Sequence, residues 1–206
     1  MDYERFFRVR QPGDLMFLVN EIWNKGTSIN PRGLKTKEIR NIIVEFQPDC
    51  DFIGQASNCI HEEAKRFYIK DLKFANKRVT HAIHKTEFEL NQTIELLRDH
   101  PATRRARIIE CDYAPFNIPC IQSTQFFRRD GQLCCSMFLR SSDTIKVLPL
   151  DVYMAQKLQQ HIANIKAKDL KGCEDCPKDL NVFNLPLGPV TCLISSAHVY
   201  VDDMPK

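Results

Sequence analysis

Cys120, Arg140, Ser141 and Asp143 lie close together in the sequence, around a stretch that reads as a β-hairpin. A cysteine attacks carbon only as its thiolate, and a cationic neighbour favours that form. Arginine offers a planar fork of donors that suits phosphate or carboxylate. Together these residue types describe a sulfur nucleophile beside an anion holder, a pairing suited to covalent attack on a phosphorylated substrate. A structural reading stands beside it. Free cysteine is among the most buried residue types, and a lone arginine is most often a surface charge.

The flanking sequence supplies elements to hold these groups. "IQSTQFFRR", Asp130-Gly131 and "QLCCSMFLRSS" form the hairpin, since Asp-Gly is a strong two-residue turn signal. Asp14 to Lys25 has helical apolar spacing behind an aspartate cap. "TSINPRGLKTKE" reads as a loop, and "IRNIIVEFQP" as a strand ended by Pro48. Residues 57–70 and Glu87 to Arg98 read as helices. "ARIIECDY" reads as a strand, Asp151 to Ala163 as a helix and "GPVTCLISSAHVYVDD" as a late strand. Arg128 and Arg129 read as a solvated hairpin end, Cys134 and Cys135 as strand or core residues. Strands outnumber crossover helices. This predicts an α+β fold, a mixed sheet packed with helices, with residues 1–206 as a single domain.

The bulk properties agree. The chain has 206 residues, 43% hydrophobic and 27% charged, and a formal net charge of +3. That charge is too small to argue for a nucleic-acid partner. No long apolar run predicts a membrane span, and the N-terminal stretch lacks a signal-peptide core. Nine cysteines without an export signal read as reduced thiols, so a cytoplasmic location is expected. Cys173 and Cys176 have metal-ligand spacing. A structural zinc needs four ligands, usually two such pairs, so "CEDC" reads as a polar loop and no metal is expected.

Pro119-Cys120, Gln125-Phe126-Phe127, Arg140-Ser141-x-Asp143 and Pro149 resemble, at ungapped spacing, the core of the thymidylate synthase superfamily. That family reads Pro-Cys-His, Gln-Phe-Tyr, Gln-Arg-Ser-x-Asp and Leu-Gly-x-Pro-Phe-Asn. "AHVYVDD" is similar to its His-x-Tyr-x-Asn segment, "NPRGLKTKE" to its phosphate-loop arginine segment, and "NQTIELLRDHPATRRARII" to the helix and arginine-rich turn before the cysteine strand. The resemblance covers most of residues 27–203. It implies a short version of the thymidylate synthase-like fold and a pyrimidine nucleoside monophosphate as ligand, with Cys120 adding to C6 of the base. It also implies 5,10-methylenetetrahydrofolate as carbon donor, and a homodimer that shares arginines across its interface. The carried-over nucleotide residues are Arg32, Arg105, Arg107, Gln125, Arg140, Ser141, Asp143, His198 and Tyr200. Asp143 is also a folate contact in relatives. "RRAR" leaves open which of Arg104, Arg105 and Arg107 reach the phosphate. Tyr200, between Val199 and Val201, also reads as plain strand filling.

Asp151 is the most informative departure. Thymidylate synthases carry asparagine there, whose amide matches the uracil O4 and N3–H edge. Cytosine presents an amino group and an unprotonated N3. A carboxylate accepts from the first and, when protonated, donates to the second. The related cytidylate 5-hydroxymethylases carry aspartate. Asp151 is otherwise a helix N-cap. Hydroxymethylation also needs a carboxylate to order water. Glu62 in "IHEEAKRF" is the candidate, with Glu63 the alternative. Ile121 replaces the family histidine, and Val147-Leu148 lacks the family glycine. The stretch between Tyr68 and Glu87 is short of the folate-binding segment. The expectation is therefore a cytidylate (CMP or dCMP) hydroxymethyltransferase. The rivals are a folate-independent enzyme on the same scaffold and a non-catalytic nucleotide-binding homologue.

Overall fold

The computed structural model describes residues 5–51, 87–109, 119–166 and 182–204. The expected helix over 57–70, Glu62, Glu63 and the Cys173–Cys176 pair lie outside these residues.

Among the described residues eight strands form one mixed sheet. They are β1 (Phe6–Val9), β2 (Thr27–Ile29), β3 (Thr36–Phe46), β4 (Arg107–Ile109), β5 (Ile121–Arg129), β6 (Gln132–Leu139), β7 (Ser142–Asp143) and β8 (Leu187–Tyr200). Their order is β1-β3-β8-β6-β5-β4, with β2 on β3 and β7 on β8. β1 runs parallel to β3, and β6 and β7 parallel to β8; the other pairs are antiparallel. Three α-helices accompany it among the described residues: α1 (Leu15–Lys25), α2 (Glu87–Asp99) and α3 (Leu148–Ala163). The mixed α+β prediction holds.

α1 and α2 each bury one apolar stripe, whereas α3 is buried on most sides. Leu15, Leu18, Val19 and Ile22 of α1, and Leu90, Ile94 and Leu97 of α2, are almost fully enclosed. α1 packs on β3 and β8, α2 on β4 and β5, and α3 chiefly on β6 and β8. The strands meet them with alternate residues, such as Ile42, Val44 and Phe46 of β3 and Val190, Cys192 and Ile194 of β8.

That alternation changes phase at a shared point of the two long strands. In β3 the buried set passes from Ile39 to Ile42, and in β8 from Ile194 to Ala197. The switch sits at Asn41, whose φ is 58°, opposite Ser195. Asparagine enters the left-handed region more readily than most residues. Without the switch, His198 and Tyr200 would share the buried phase of Cys192 and Ile194. With it, Ala197 and Val199 are buried instead.

The hairpin forms as expected, with Asp130 and Gly131 at φ 50° and 73°. Positive φ at both positions gives the turn whose twist matches its strands. A Cβ on Gly131 would meet no atom within 4 Å, so Gly131→Ala should cost only backbone strain, about 1 kcal/mol in urea denaturation. Gly131→Asn should cost less.

Several expectations are corrected. "TSINPRGLKTKE" is no simple loop, because Thr27–Ile29 pairs with β3. Asp14 makes no side-chain cap to α1; its Oδ2 turns back to accept from the Arg10 and Gln11 amides. Asp151 is not an N-cap. α3 starts at Leu148, with Pro149 in its first turn, where a missing N–H costs nothing. Arg128 and Arg129 are half-buried, and they tie the hairpin to the end of α2 and the turn after it through the carbonyls of Leu97, Ala102 and Thr103.

Candidate active site

Cys120 immediately precedes β5, and Arg140 follows the last residue of β6. The hairpin register therefore brings the two ends together, with the Arg140 amide donating to the Cys120 carbonyl at 2.9 Å. The guanidinium then folds over this junction. Its Nε donates to the Pro119 carbonyl at 3.1 Å and its Nη1 to Ser141 Oγ at 3.2 Å. Ser141 Oγ lies 3.7 Å from Cys120 Sγ. Cys120 is half-buried and Arg140 exposed. The thiol is thus not sealed in the apolar core, unlike Cys135 and Cys192, whose thiols burial pushes well up. Thiol, hydroxyl and guanidinium converge at one surface point.

A second group gathers where β7 meets β8. Asp143 stands in register with His198, whose ring meets Tyr200 edge-on at 5.3 Å. Asp143 Oδ1 accepts from the Ile145 and Lys146 amides, both at 3.0 Å. Burial and the nearby Asp143 carboxylate raise the Tyr200 phenol, and Arg32 opposes them. Arg32 reaches this corner from the β2–β3 connection, since Thr36 pairs with Tyr200. Its φ of 54°, followed by Gly33 at 81°, places it in the left-handed region, which costs a non-glycine residue about 1 kcal/mol or more. Lys146 pairs with Asp203 beside them. Reading the sequence missed this ion pair; two charges far apart in the chain carry no local signal.

Burial raises the Asp143 carboxyl above its ordinary value, although the Lys146 amide, His198 and the Ile145 amide pull it down. Between its unfolded and raised folded values, the folded chain holds the proton more firmly. Asp143 therefore favours folding more as pH falls through that window and opposes it above. Asp143→Asn, which keeps the amide acceptor, should flatten this dependence and leave stability at neutral pH equal or up to about 1 kcal/mol higher. Urea titrations of both proteins across the carboxylate range check it.

Gln125, Arg105 and Arg107 are not at the Cys120 corner within one chain. Gln125 stands five residues along β5, roughly 17 Å away at strand rise, and its Nε2 donates to the Arg104 carbonyl at 2.6 Å. Arg107 is in register with Gln125, and both Arg105 and Arg107 are exposed. Neither is ion-paired among the described residues. Asp151 lies in the first turn of α3 at 2% exposure. It is one of the groups that raise the Cys192 thiol, after burial and Cys135. Among the described residues no cluster of three potential metal ligands exists, and no helix is long and apolar enough to cross a membrane.

No family model matches the chain. It is similar along nearly its whole length to proteins carrying the name "Putative thymidylate synthase". That of Methanococcoides burtonii is 24% identical, over 98% of this chain and 92% of the relative. Those of Methanosarcina acetivorans and Methanosarcina mazei are each 25% identical, over 97% of this chain and 91% of the relative. The mixed α+β architecture is consistent with a thymidylate synthase-like fold.

Proposed function

We propose that this single-domain protein is a pyrimidine nucleotide one-carbon transferase of thymidylate synthase type, acting on a cytidylate to give the 5-hydroxymethyl product. The observation that carries the reading is the convergence of Cys120 Sγ and the Arg140 guanidinium on Ser141 Oγ. Arg140 and Ser141 hold the nucleotide phosphate, joined by Arg32. His198 and Tyr200 take the sugar hydroxyl. The Cys120 thiolate adds to C6 of the base, and the displaced electron density makes C5 nucleophilic. Asp151 accepts from the cytosine amino group.

5,10-Methylenetetrahydrofolate would supply the one-carbon unit. The chemistry of Asp143 fits it: a buried carboxylate beside His198 suits the N–H edge of a pterin. The water-ordering role falls to Glu62, or to its neighbour Glu63.

The second copy belongs to the same reading. Phe6, Ile43, Leu193 and Phe138 stand in register across β1, β3, β8 and β6, with 38–46% of each exposed. They form a transverse apolar row that no helix covers among the described residues. Isologous stacking of two such rows would bury both, as two-fold symmetry allows, and would let exposed Arg105 and Arg107 serve the other chain's phosphate. Phe138→Asp should halve the sedimenting mass of the parent dimer; a parent that sediments as a monomer would rule out the shared site.

The deciding test of the function is mass spectrometry of products from CMP, dCMP and dUMP, each with methylenetetrahydrofolate. A gain of one hydroxymethyl on a cytidylate is expected. A gain on dUMP alone would overturn the assignment of Asp151.

A further inference from the structure

At the far end of β5 from Cys120, three arginines line one open groove. Arg104 comes from the turn after α2, and Arg128 and Arg129 from the end of the hairpin; Pro101, Asp130 and Leu185 complete the walls. Its volume is about 690 Å³. Arg129 is nine residues along the chain from Cys120, roughly 30 Å at strand rise, so within one chain this groove is separate from the thiol.

None of the three guanidiniums is ion-paired among the described residues. Asp130 is the one carboxylate on the described walls. Arg128 and Arg129 are also fixed in place. Arg128 Nη1 donates to the Leu97 carbonyl at 3.3 Å, and its guanidinium stacks 5.8 Å from the Phe183 ring. Arg129 Nη1 donates to the Arg128 carbonyl at 2.7 Å, and its Nη2 to the Ala102 and Thr103 carbonyls at 3.4 Å each. Phe127 supports its plane at 5.8 Å. These bonds have a structural use, because they satisfy carbonyls at the end of α2 and in the turn beyond. They leave several N–H donors on each fork unspent, since a guanidinium carries five. The side-chain entropy of two long residues is already spent by the fold. Cations held so, around an open groove and facing little negative charge, form an anion receptor rather than a solvated surface.

We propose that this groove is a second binding site, for a polyphosphate-bearing small molecule. Three cations spread around a groove of this size match the several charges of a di- or triphosphate better than the two of a monophosphate. A polyphosphorylated nucleotide and inorganic polyphosphate share that chemistry.

The probe is inorganic triphosphate, titrated calorimetrically into the full chain, with inorganic phosphate, CTP and CMP in parallel arms. Triphosphate should bind at least about tenfold more tightly than phosphate, and binding should weaken as salt rises. CTP binding more tightly than triphosphate identifies a nucleotide as the natural source; equal binding identifies the phosphate chain alone. Two variants spare the buried hydrogen bonds. Arg104→Gln keeps the backbone carbonyl that Gln125 uses, and should weaken triphosphate about tenfold. Asp130→Asn suits the positive φ of that turn position and, by removing the facing carboxylate, should tighten triphosphate about threefold. Absence of binding, or affinity unmoved by both variants, would refute the site. Displacement of triphosphate by CMP, or its loss in Arg140→Gln alone, would place the anion at the Cys120 corner and equally end the proposal. The site does not depend on the proposed reaction, so a protein inert toward cytidylates could still pass.

Discussion

Cys120→Ser should reduce tritium release from C5-labelled cytidylate by about 10³-fold or more, while nucleotide affinity changes by no more than a few-fold. Addition of sulfur at C6 is what loosens the C5 hydrogen, so exchange reports that bond even when no carbon is transferred. Serine keeps the size of the side chain and the polar contact to Ser141 Oγ, but its hydroxyl is scarcely ionised near neutral pH. The half-buried setting of Cys120 predicts little change in stability. Exchange that persists in the serine variant would remove the nucleophile from the scheme. A parent protein that binds CMP yet releases no tritium would favour the non-catalytic homologue.

Asp151→Asn carries the second large effect. It should move the preference between cytidylate and uridylate by about 10³-fold in kcat/KM toward uridylate. Sites built to hydrogen-bond one polar edge reject the other by leaving a buried group unmatched. The residue is 2% exposed, so water cannot make good a mismatch there. Asparagine has nearly the same shape, and the fold should survive, since no N-cap is lost: α3 begins three residues earlier. Competition assays with CMP and UMP on parent and variant measure the shift. Equal losses on both bases would make Asp151 a structural residue of α3.

Much of this was legible in the sequence because it is local. Alternation, the Asp-Gly turn and helical spacing each announce themselves over a few residues, so β5, β6, α1 and α2 fall close to their expected places. The nearness of Arg140 to Cys120 was expected from the family resemblance alone, although the two-residue turn between their strands fixes which ends of the hairpin meet. Tertiary features were not. Asp14 turned back from its helix because the Arg10 and Gln11 amides needed an acceptor. Arg128 and Arg129 looked like solvated charges, yet their partners are carbonyls of a segment about thirty positions away. Thr27–Ile29 is a strand only because β3 offers it an edge.

The phase switch at Asn41 and Ser195 makes the long strands behave like text with a reading frame. Losing a single residue from β8 at Ser195 would put His198 and Tyr200 out of frame, exchanging their facing with that of Ala197 and Val199. Removing Asn41 as well would restore strand pairing without restoring the frame of β8. Length variation should therefore be barred from this point of the sheet, even though no side chain there touches the thiol.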